Sequence, residues 1–146
     1  MLPRWHIFLG AIFSLLIWAL YPETKLLYIV LIFLASFLID FDHYMNAVSK
    51  TGKLGLKSAF DYHKLLALRE KNDARKRIIR KESFHIFHTI EFHILVFLLG
   101  LWIEPFLYIF IGMFFHSLLD IIDMSMKKRL HRREFLFINW LARKIF

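Results

Sequence analysis

The sequence predicts an all-α fold: a four-span transmembrane helical bundle with basic amphipathic helices at the membrane surface. The chain has 146 residues, of which 58% are hydrophobic, whereas soluble domains average roughly 45–50%. These residues fall into four long apolar runs, and no segment shows the apolar–polar alternation typical of a β-strand. We therefore expect a single membrane domain over residues 1–146.

The predicted spans lie at residues 5–21, 25–43, 84–103 and 106–126. A spanning helix needs about 20 residues, and the first run is short for that length. Pro22 and Pro105 separate the spans of each pair, because a helix cannot simply continue through proline. Two helical hairpins result, joined by a basic loop at 44–83 and followed by a basic tail at 127–146.

The distribution of charge predicts the orientation of the spans. The net charge is +8, the basic loop holds 11 of the 20 Lys and Arg residues, and the basic tail holds seven. The link between the first two spans has only Lys25, and the link at 104–105 has none. By the positive-inside rule, the loop and the tail are cytoplasmic. We expect an integral protein of the cell membrane with both termini in the cytoplasm.

The basic loop also has the pattern of an amphipathic helix. Leu65, Leu66 and Leu68 alternate with Lys64 and Arg69, which predicts a helix lying on anionic lipid headgroups. The tail has the same character, and a solvated helical connector is the alternative. Nucleic acids also attract such charge, but a multispan body argues against them. Membrane lipids are the expected partners, and nucleic acid is not.

Ionisable side chains gather at one end of the spans, and the charge topology makes it the cytoplasmic end of all four. Carboxylates and imidazoles inside apolar spans are costly and usually mark a function. His116 and Asp120 share a helix face at i and i+4, as do Asp40 and His43 at i and i+3. The predicted metal ligands are His6, Asp40, Asp42, His43, His88, His93, His116 and Asp120.

Some spacings leave the ligand set open. On an ideal helix Asp42 points away from its neighbours, unless the end of the span unwinds. His93 follows His88 by five residues, about 140° around a regular helix, which suits either a second ion or an irregular turn. The sequence does not decide whether His6, His85 and Asp123 belong to the site, and an interfacial anchor is the alternative for His6.

The chemistry of the ligands favours a divalent metal. The chain has no Cys, so any ligands are nitrogen and oxygen atoms, which suit zinc, manganese or iron. Zinc is the expected cofactor, with room for more than one ion and with Asp40 or Asp42 bridging them. An ion with an open position can activate water for attack on a phosphoester. Glu91 is the predicted general base or orienting partner of a ligand His, so Glu91 and Asp42 are the predicted catalytic residues. A buried packing or proton-handling network is the alternative.

In order and spacing, these residues resemble the YdjM-like family of predicted membrane-bound metal-dependent hydrolases over most of the chain, residues 5–125. The matches are His6, the run Asp40-Phe41-Asp42-His43, the pair His88 and His93, and the pair His116 and Asp120. The resemblance implies metal-dependent hydrolysis. The family is itself similar to zinc-dependent phospholipase C and single-strand nucleases, which implies phosphoesters as substrates.

The chain departs from the family pattern at three places, one of which is Ile94, where the family typically has Ser. Ile39 stands where the family usually has Pro, and Thr89-Ile90-Glu91-Phe92 stands where it favours Arg-Gly-Phe-Thr. The family's Arg, which could bind a substrate phosphate, is therefore missing here. Arg80 and Lys81 are the candidates to replace it.

The expected function is hydrolysis of phosphoesters of lipids or lipid-linked substrates at the cytoplasmic face by a membrane-embedded metal-dependent enzyme. The alternative is a non-catalytic metal-binding or metal-transport membrane protein, although the apolar outer halves of the spans offer no polar pathway. A haem protein using paired His is a third interpretation, and the abundance of Asp counts against it.

Overall fold

A computed structural model describes residues 3–145, and over these residues the chain is helical with no strand. The all-α prediction is therefore confirmed. The α-helices are α1 (Pro3–Leu20), α2 (Leu26–Leu38), α3 (Phe41–Thr51), α4 (Leu56–Arg75), α5 (Ile90–Gly100), α6 (Glu104–Met126) and α7 (Phe137–Ile145). Two short 3₁₀ helices lie at Ile86–His88 and Leu130–Arg132.

Three helical segments within residues 3–145 are long and apolar enough to cross a membrane: α1, the combined segment Leu26–Thr51, and α6. This supports the prediction of a membrane protein. The apolar helix α5 has only 11 residues, so the predicted span 84–103 is helical over little more than half its length. The Thr89 side chain accepts a hydrogen bond from the backbone N–H of Phe92 at 3.3 Å and caps α5. The four-span arrangement is therefore not established by helix length.

The predicted second span is interrupted where its ligands begin. The helix α2 ends at Leu38, Asp40 has φ −68° and ψ −1°, and α3 starts at Phe41. The interruption changes the direction of the side chains that follow. Asp42 lies in the first turn of α3 and is buried, so it does not point away from the cluster as it would on one continuous helix.

Small residues allow the spanning helices to approach closely. The helix α2 packs against both α1 and α6, and α5 packs against α6. A Cβ atom on Gly112 would collide with the carbonyl oxygen of Ile32 and would lie 2.9 Å from Cβ of Ala35. On Gly10 it would collide with the Ser36 side chain. Small residues commonly serve this purpose at helix interfaces in membranes.

The glycines lie next to the predicted ligands. His6 is one helical turn before Gly10 on α1, and His116 is one turn after Gly112 on α6. Close contact at these glycines therefore brings both imidazoles to the end of α2, where Asp40 lies. Aromatic stacking supports the same packing away from the cluster, with ring centroids 4.0 Å apart for Phe13 and Phe115.

The chain after α6 folds back onto the polar end of the bundle. The backbone N–H of Glu82 donates to the carbonyl of Arg132 at 2.8 Å, and that of Ile90 donates to the carbonyl of Phe135 at 2.9 Å. These bonds hold the segment 130–135 beside the start of α5. As a result, the side chains of Arg132 and Arg133 are buried rather than solvated.

We expect Gly112→Ala to lower the melting temperature of the detergent-purified protein, because the added methyl group must displace the backbone of α2. Overpacking of this kind costs about 1–3 kcal/mol. Gly55→Ala is the matched control, since a Cβ atom there meets nothing within 4 Å. Fluorescence-detected thermal unfolding measures both variants, and equal melting temperatures would contradict the close α2–α6 contact.

Candidate metal centre

The structure brings seven of the eight predicted ligands to one place at the polar end of the bundle. His6 comes from α1, Asp40 from the break after α2, Asp42 and His43 from α3, His88 from the first 3₁₀ helix, and His116 and Asp120 from α6. Four overlapping groups of potential ligands result, each with ligand atoms within 4.8 Å of one another: His6, Asp40 and His116; Asp40, His43 and His88; Asp42, His43 and His85; His88, His116 and Asp120. These buried His and Asp groups could hold a metal ion.

The centre of the cluster is formed by three converging atoms. Nε2 of His88 lies 3.2 Å from Nε2 of His116. Oδ1 of Asp40 lies 3.5 Å from the first of these nitrogens and 3.4 Å from the second. Tetrahedral zinc with bonds of about 2.0–2.1 Å to its ligands places them about 3.4 Å apart. The spacing of the three atoms therefore fits a common metal ion.

Hydrogen bonds on the far side of both rings determine which nitrogens are available. Nδ1 of His88 donates to Oδ2 of Asp42 at 3.0 Å, and Nδ1 of His116 donates to the carbonyl of Ser36 at 2.8 Å. A neutral imidazole carries one N–H, so each Nε2 of a neutral ring is left with a lone pair. The two Nε2 atoms and the Asp40 oxygen then face one another, and either a metal ion among them or a proton on one of the rings could satisfy these atoms.

Asp42 accepts a hydrogen bond from the side of the His88 ring that faces away from the central group. Its Oδ2 accepts from Nδ1 of His88 and also from the backbone N–H of Phe87 at 3.2 Å. A carboxylate behind a ligand His is the usual arrangement for fixing the tautomer and orientation of the ring. The other oxygen of Asp42, Oδ1, would take the predicted bridging role. It lies 3.5 Å from Nδ1 of His85.

His85 joins the cluster, which answers a question that the sequence left open. It is buried, and its ring centroid lies 3.8 Å from that of His43. Nε2 of His43 lies 3.6 Å from Oδ1 of Asp40. The group of Asp42, His43 and His85 therefore adjoins the central group, and the two groups together have enough donors for two ions.

His6 and Asp120 complete the other side of the centre. The His6 ring is stacked on His116 with centroids 3.9 Å apart, and its Nε2 lies 3.2 Å from Oδ1 of Asp120. The second oxygen of Asp120 accepts from Nη1 of Arg133 at 2.8 Å and lies 3.7 Å from Nε2 of His116. Asp120 is thus shared between the histidines and a buried guanidinium group.

His93 lies beside the cluster and belongs to none of the ligand groups within residues 3–145. Its Nδ1 donates to the carbonyl of Thr89 at 2.9 Å, and its Nε2 accepts from the hydroxyl of Ser117 at 2.9 Å. Both ring nitrogens are therefore engaged. The local backbone accounts for the difference between the two histidines. His93 lies within the regular helix α5, whereas His88 precedes the N-terminus of α5.

Glu91 and Asp123 also lie outside those groups. Oε1 of Glu91 accepts from the backbone N–H of Ile138 at 3.3 Å, at the start of α7. Oδ2 of Asp123 pairs with Nζ of Lys127 at 2.7 Å. The role of Glu91 as a general base stays a prediction, and its observed partner is the N-terminus of a helix.

Arg133 is the residue that sequence reasoning missed. It is 7% exposed, and its Nε has no hydrogen-bond partner among the described residues. Counting charges gave every cation of the basic tail the same weight, so no signal distinguished Arg133 from Arg132 or Arg143. Only the fold-back of the segment 130–135 shows that one guanidinium group reaches Asp120.

Comparisons with protein-family models, with curated proteins and with solved structures find no match to this chain. The resemblance to the YdjM-like family therefore stays an inference from the spacing of the residues. The geometry of the cluster has to support any functional conclusion.

We expect the protein, loaded with zinc and then freed of excess metal, to retain bound metal that His88→Ala loses. The variant removes one of the three converging ligand atoms. The two atoms that remain are too few to hold the ion. Elemental analysis of the monodisperse protein measures the metal content.

His93→Ala and His131→Ala are the matched controls for that measurement. His93 has both ring nitrogens engaged elsewhere, and His131 is exposed in the basic tail. Both controls should keep the metal of the wild type. Equal metal content in His88→Ala and the wild type would show that the central group does not bind the ion.

Proposed function

We propose that the chain is a four-span membrane protein and a metal-dependent hydrolase of phosphoesters, acting on lipids or lipid-linked substrates at the cytoplasmic face. The observation that carries the proposal is the convergence of Nε2 of His88, Nε2 of His116 and Oδ1 of Asp40 at 3.2–3.5 Å. The proposed cofactor is zinc or another divalent metal that accepts nitrogen and oxygen ligands, such as manganese or iron.

A divalent ion held there would supply Lewis-acid activation of water and of the phosphoryl group. The protein itself supplies the geometry. Asp42 and the Ser36 carbonyl hold the two central imidazoles in the tautomer that directs Nε2 inward. A preorganised and buried set of donors needs no rearrangement as charge develops in the transition state.

Arg133 provides positive charge where a phosphate would lie. It is held by Asp120 and it lines an apolar groove together with His88. A buried guanidinium group forms strong charge-assisted hydrogen bonds to phosphate oxygens. Arg133 therefore replaces the Arg that the family pattern would place after His88, in preference to Arg80 or Lys81. Those two side chains are paired with Asp73 and Glu134.

In the proposed reaction, the oxygen of water forms a bond to phosphorus and the P–O bond to the leaving alcohol breaks. One proton of the water passes to the leaving oxygen and the other passes to solvent. Asp42 and Glu91 stay the predicted catalytic carboxylates. Of these, Asp42 lies in the cluster, whereas Oε1 of Glu91 accepts from the backbone of α7.

The proposed fourth span consists of α5 and the irregular stretch before it. The link at 101–103 joins α5 directly to the start of α6, so α5 must run back along α6 toward the polar end. His85, His88 and Thr89 in the irregular stretch are buried in the protein. Non-helical backbone at membrane depth is tolerated where the protein covers it.

We expect the zinc-loaded protein in nanodiscs to hydrolyse bis(p-nitrophenyl) phosphate or a fluorescent phospholipid, with activity lost on chelation and regained on adding metal. His116→Ala should abolish the activity. Asp42→Asn should lower it by about 10–100-fold, the usual effect of removing the partner behind a ligand His. Release of p-nitrophenolate measures the rate, with His131→Ala as the control.

Bound metal without hydrolysis of either substrate would favour the non-catalytic alternative, a metal-binding or metal-transport protein. Activity that is unchanged in His116→Ala would contradict the placement of the reaction at this cluster.

We expect single-cysteine variants to report the proposed topology, because the chain has no native Cys. Lys53→Cys, in the basic loop, should react with an impermeant maleimide only after the membrane is opened. Glu23→Cys, in the first outer link, should react in intact cells. The reverse pattern would contradict cytoplasmic termini.

A further inference from the structure

Two cavities open at the histidine cluster. The first, which we call the basic cavity, has a volume of about 620 Å³ and lies among α3, α4 and the segment 80–85. The second, which we call the apolar groove, has a volume of about 300 Å³ and lies between α5 and α6. His43 and His85 line the first, and His88 and His93 line the second. The rings of His43 and His88 have centroids only 5.3 Å apart, so the linings of the two spaces meet at the cluster.

The basic cavity carries an excess of positive charge. Five cationic side chains and two carboxylates line it: Lys50, Arg69, Arg80, Lys81, Arg132, Glu70 and Glu82. Three of the cations are in ion pairs, Arg80 with Asp73, Lys81 with Glu134 and Arg132 with Glu70. Glu70 also accepts from Nη1 of Arg129 at 2.9 Å, and its burial, with Glu82 nearby, raises the pKa of its carboxyl group. Lys50 and Arg69 have no ion-pair partner within residues 3–145, and these two cations make the cavity suit an anionic group.

The apolar groove has the opposite character. Its walls are formed mainly by Ile and Phe side chains of α5 and α6, and its polar end is formed by His88, His93 and Arg133. Ile94 and Phe114 on these walls are 52% and 56% exposed. Since α6 is long and apolar enough to span a membrane, such side chains would face the hydrocarbon region. A hydrocarbon chain can enter the groove directly from the bilayer.

We propose that the cluster binds one amphiphile, a phospholipid whose headgroup carries negative charge of its own. The headgroup occupies the basic cavity, a hydrocarbon chain occupies the apolar groove, and the phosphate that joins them lies at the cluster beside His88 and Arg133. This rests on the proposed function, because it names the substrate class of the same site. It goes further by assigning recognition to residues of α3, α4 and α5 that are in none of the ligand groups, namely Lys50, Arg69 and Ile94.

Recognition of the headgroup by the basic cavity is tested with two short-chain lipids that differ by one phosphate, dihexanoyl phosphatidylinositol and its 4-phosphate. Binding to the zinc-loaded protein in nanodiscs is measured by thermophoresis. We expect the 4-phosphate to bind about tenfold more tightly, the value of one charge-assisted contact. Lys50→Gln/Arg69→Gln should remove that difference. Lys57→Gln/Lys71→Gln, the same change of charge on exposed residues of α4 outside the cavity, should keep it.

Recognition of the hydrocarbon chain by the apolar groove is tested with Ile94→Trp, which fills the groove from an exposed position. Leu95→Trp is the matched control, because Leu95 is also 52% exposed but does not line the groove. We expect Ile94→Trp to raise the dissociation constant of both lipids at least tenfold and to leave that of free inositol 1,4-bisphosphate unchanged. This soluble probe separates a lipid headgroup from a free phosphate ligand. If it binds as tightly as the lipids, a hydrocarbon chain is not recognised and the proposal is overturned.

The same preparations are assayed on bis(p-nitrophenyl) phosphate, which is too small to need either cavity. If this diester is hydrolysed but neither Lys50→Gln/Arg69→Gln nor Ile94→Trp affects lipid binding, the amphiphile site is overturned and the proposed hydrolase activity is not. The expected binding differences without any hydrolysis would support the amphiphile site and refute the hydrolase. An equal loss of binding in the two Lys and Arg variant pairs would mean non-specific attraction, which also overturns the proposal.

Discussion

The contact on which the rest of the structure depends is the approach of two imidazole nitrogens and a carboxylate oxygen inside a largely apolar bundle. His88, His116 and Asp40 have these atoms 3.2–3.5 Å apart. Such a contact needs positive charge, either a metal ion or a proton on one of the imidazoles, because buried acceptors without donors are costly in a low-dielectric interior. Asp42 and the Ser36 carbonyl each accept a hydrogen bond from Nδ1 of one ring, and this directs both Nε2 atoms toward Asp40.

Several irregular features of the fold serve this contact at the expense of local stability. The interruption after Leu38 gives up helical hydrogen bonds, and the non-helical stretch before Thr89 does the same. Gly10 and Gly112 lower helix propensity in the middle of two long helices. Each feature brings a His or Asp side chain to the cluster: the break places Asp40, the irregular stretch places His88, and the glycines place His6 and His116.

The helical class and the gathering of His and Asp at one end of the bundle could be predicted from sequence, because both follow from short-range patterns. Apolar runs predict helices, and the i and i+4 spacing of His116 and Asp120 predicts a shared face. The partners of single atoms could not be predicted, because they depend on contacts between distant segments. His93 matches the family spacing, yet its ring is occupied by Thr89 and Ser117. Arg133 had no local signal, since its role follows from the fold-back of the chain after α6.

Two cavities at the cluster would let one site reach two solvents. Carboxylates and imidazoles are cheapest to bury near the polar boundary of a membrane, and the basic cavity is lined by charged side chains next to His43 and His85. The apolar groove runs between α5 and α6 and has His88 and Arg133 at its polar end. The proposed hydrolysis of lipids would use both, because water and the polar product would exchange on one side while the chain stays in hydrocarbon on the other. In that proposal the charged chemistry lies at His88 and Arg133, where the polar end of the groove meets the cluster.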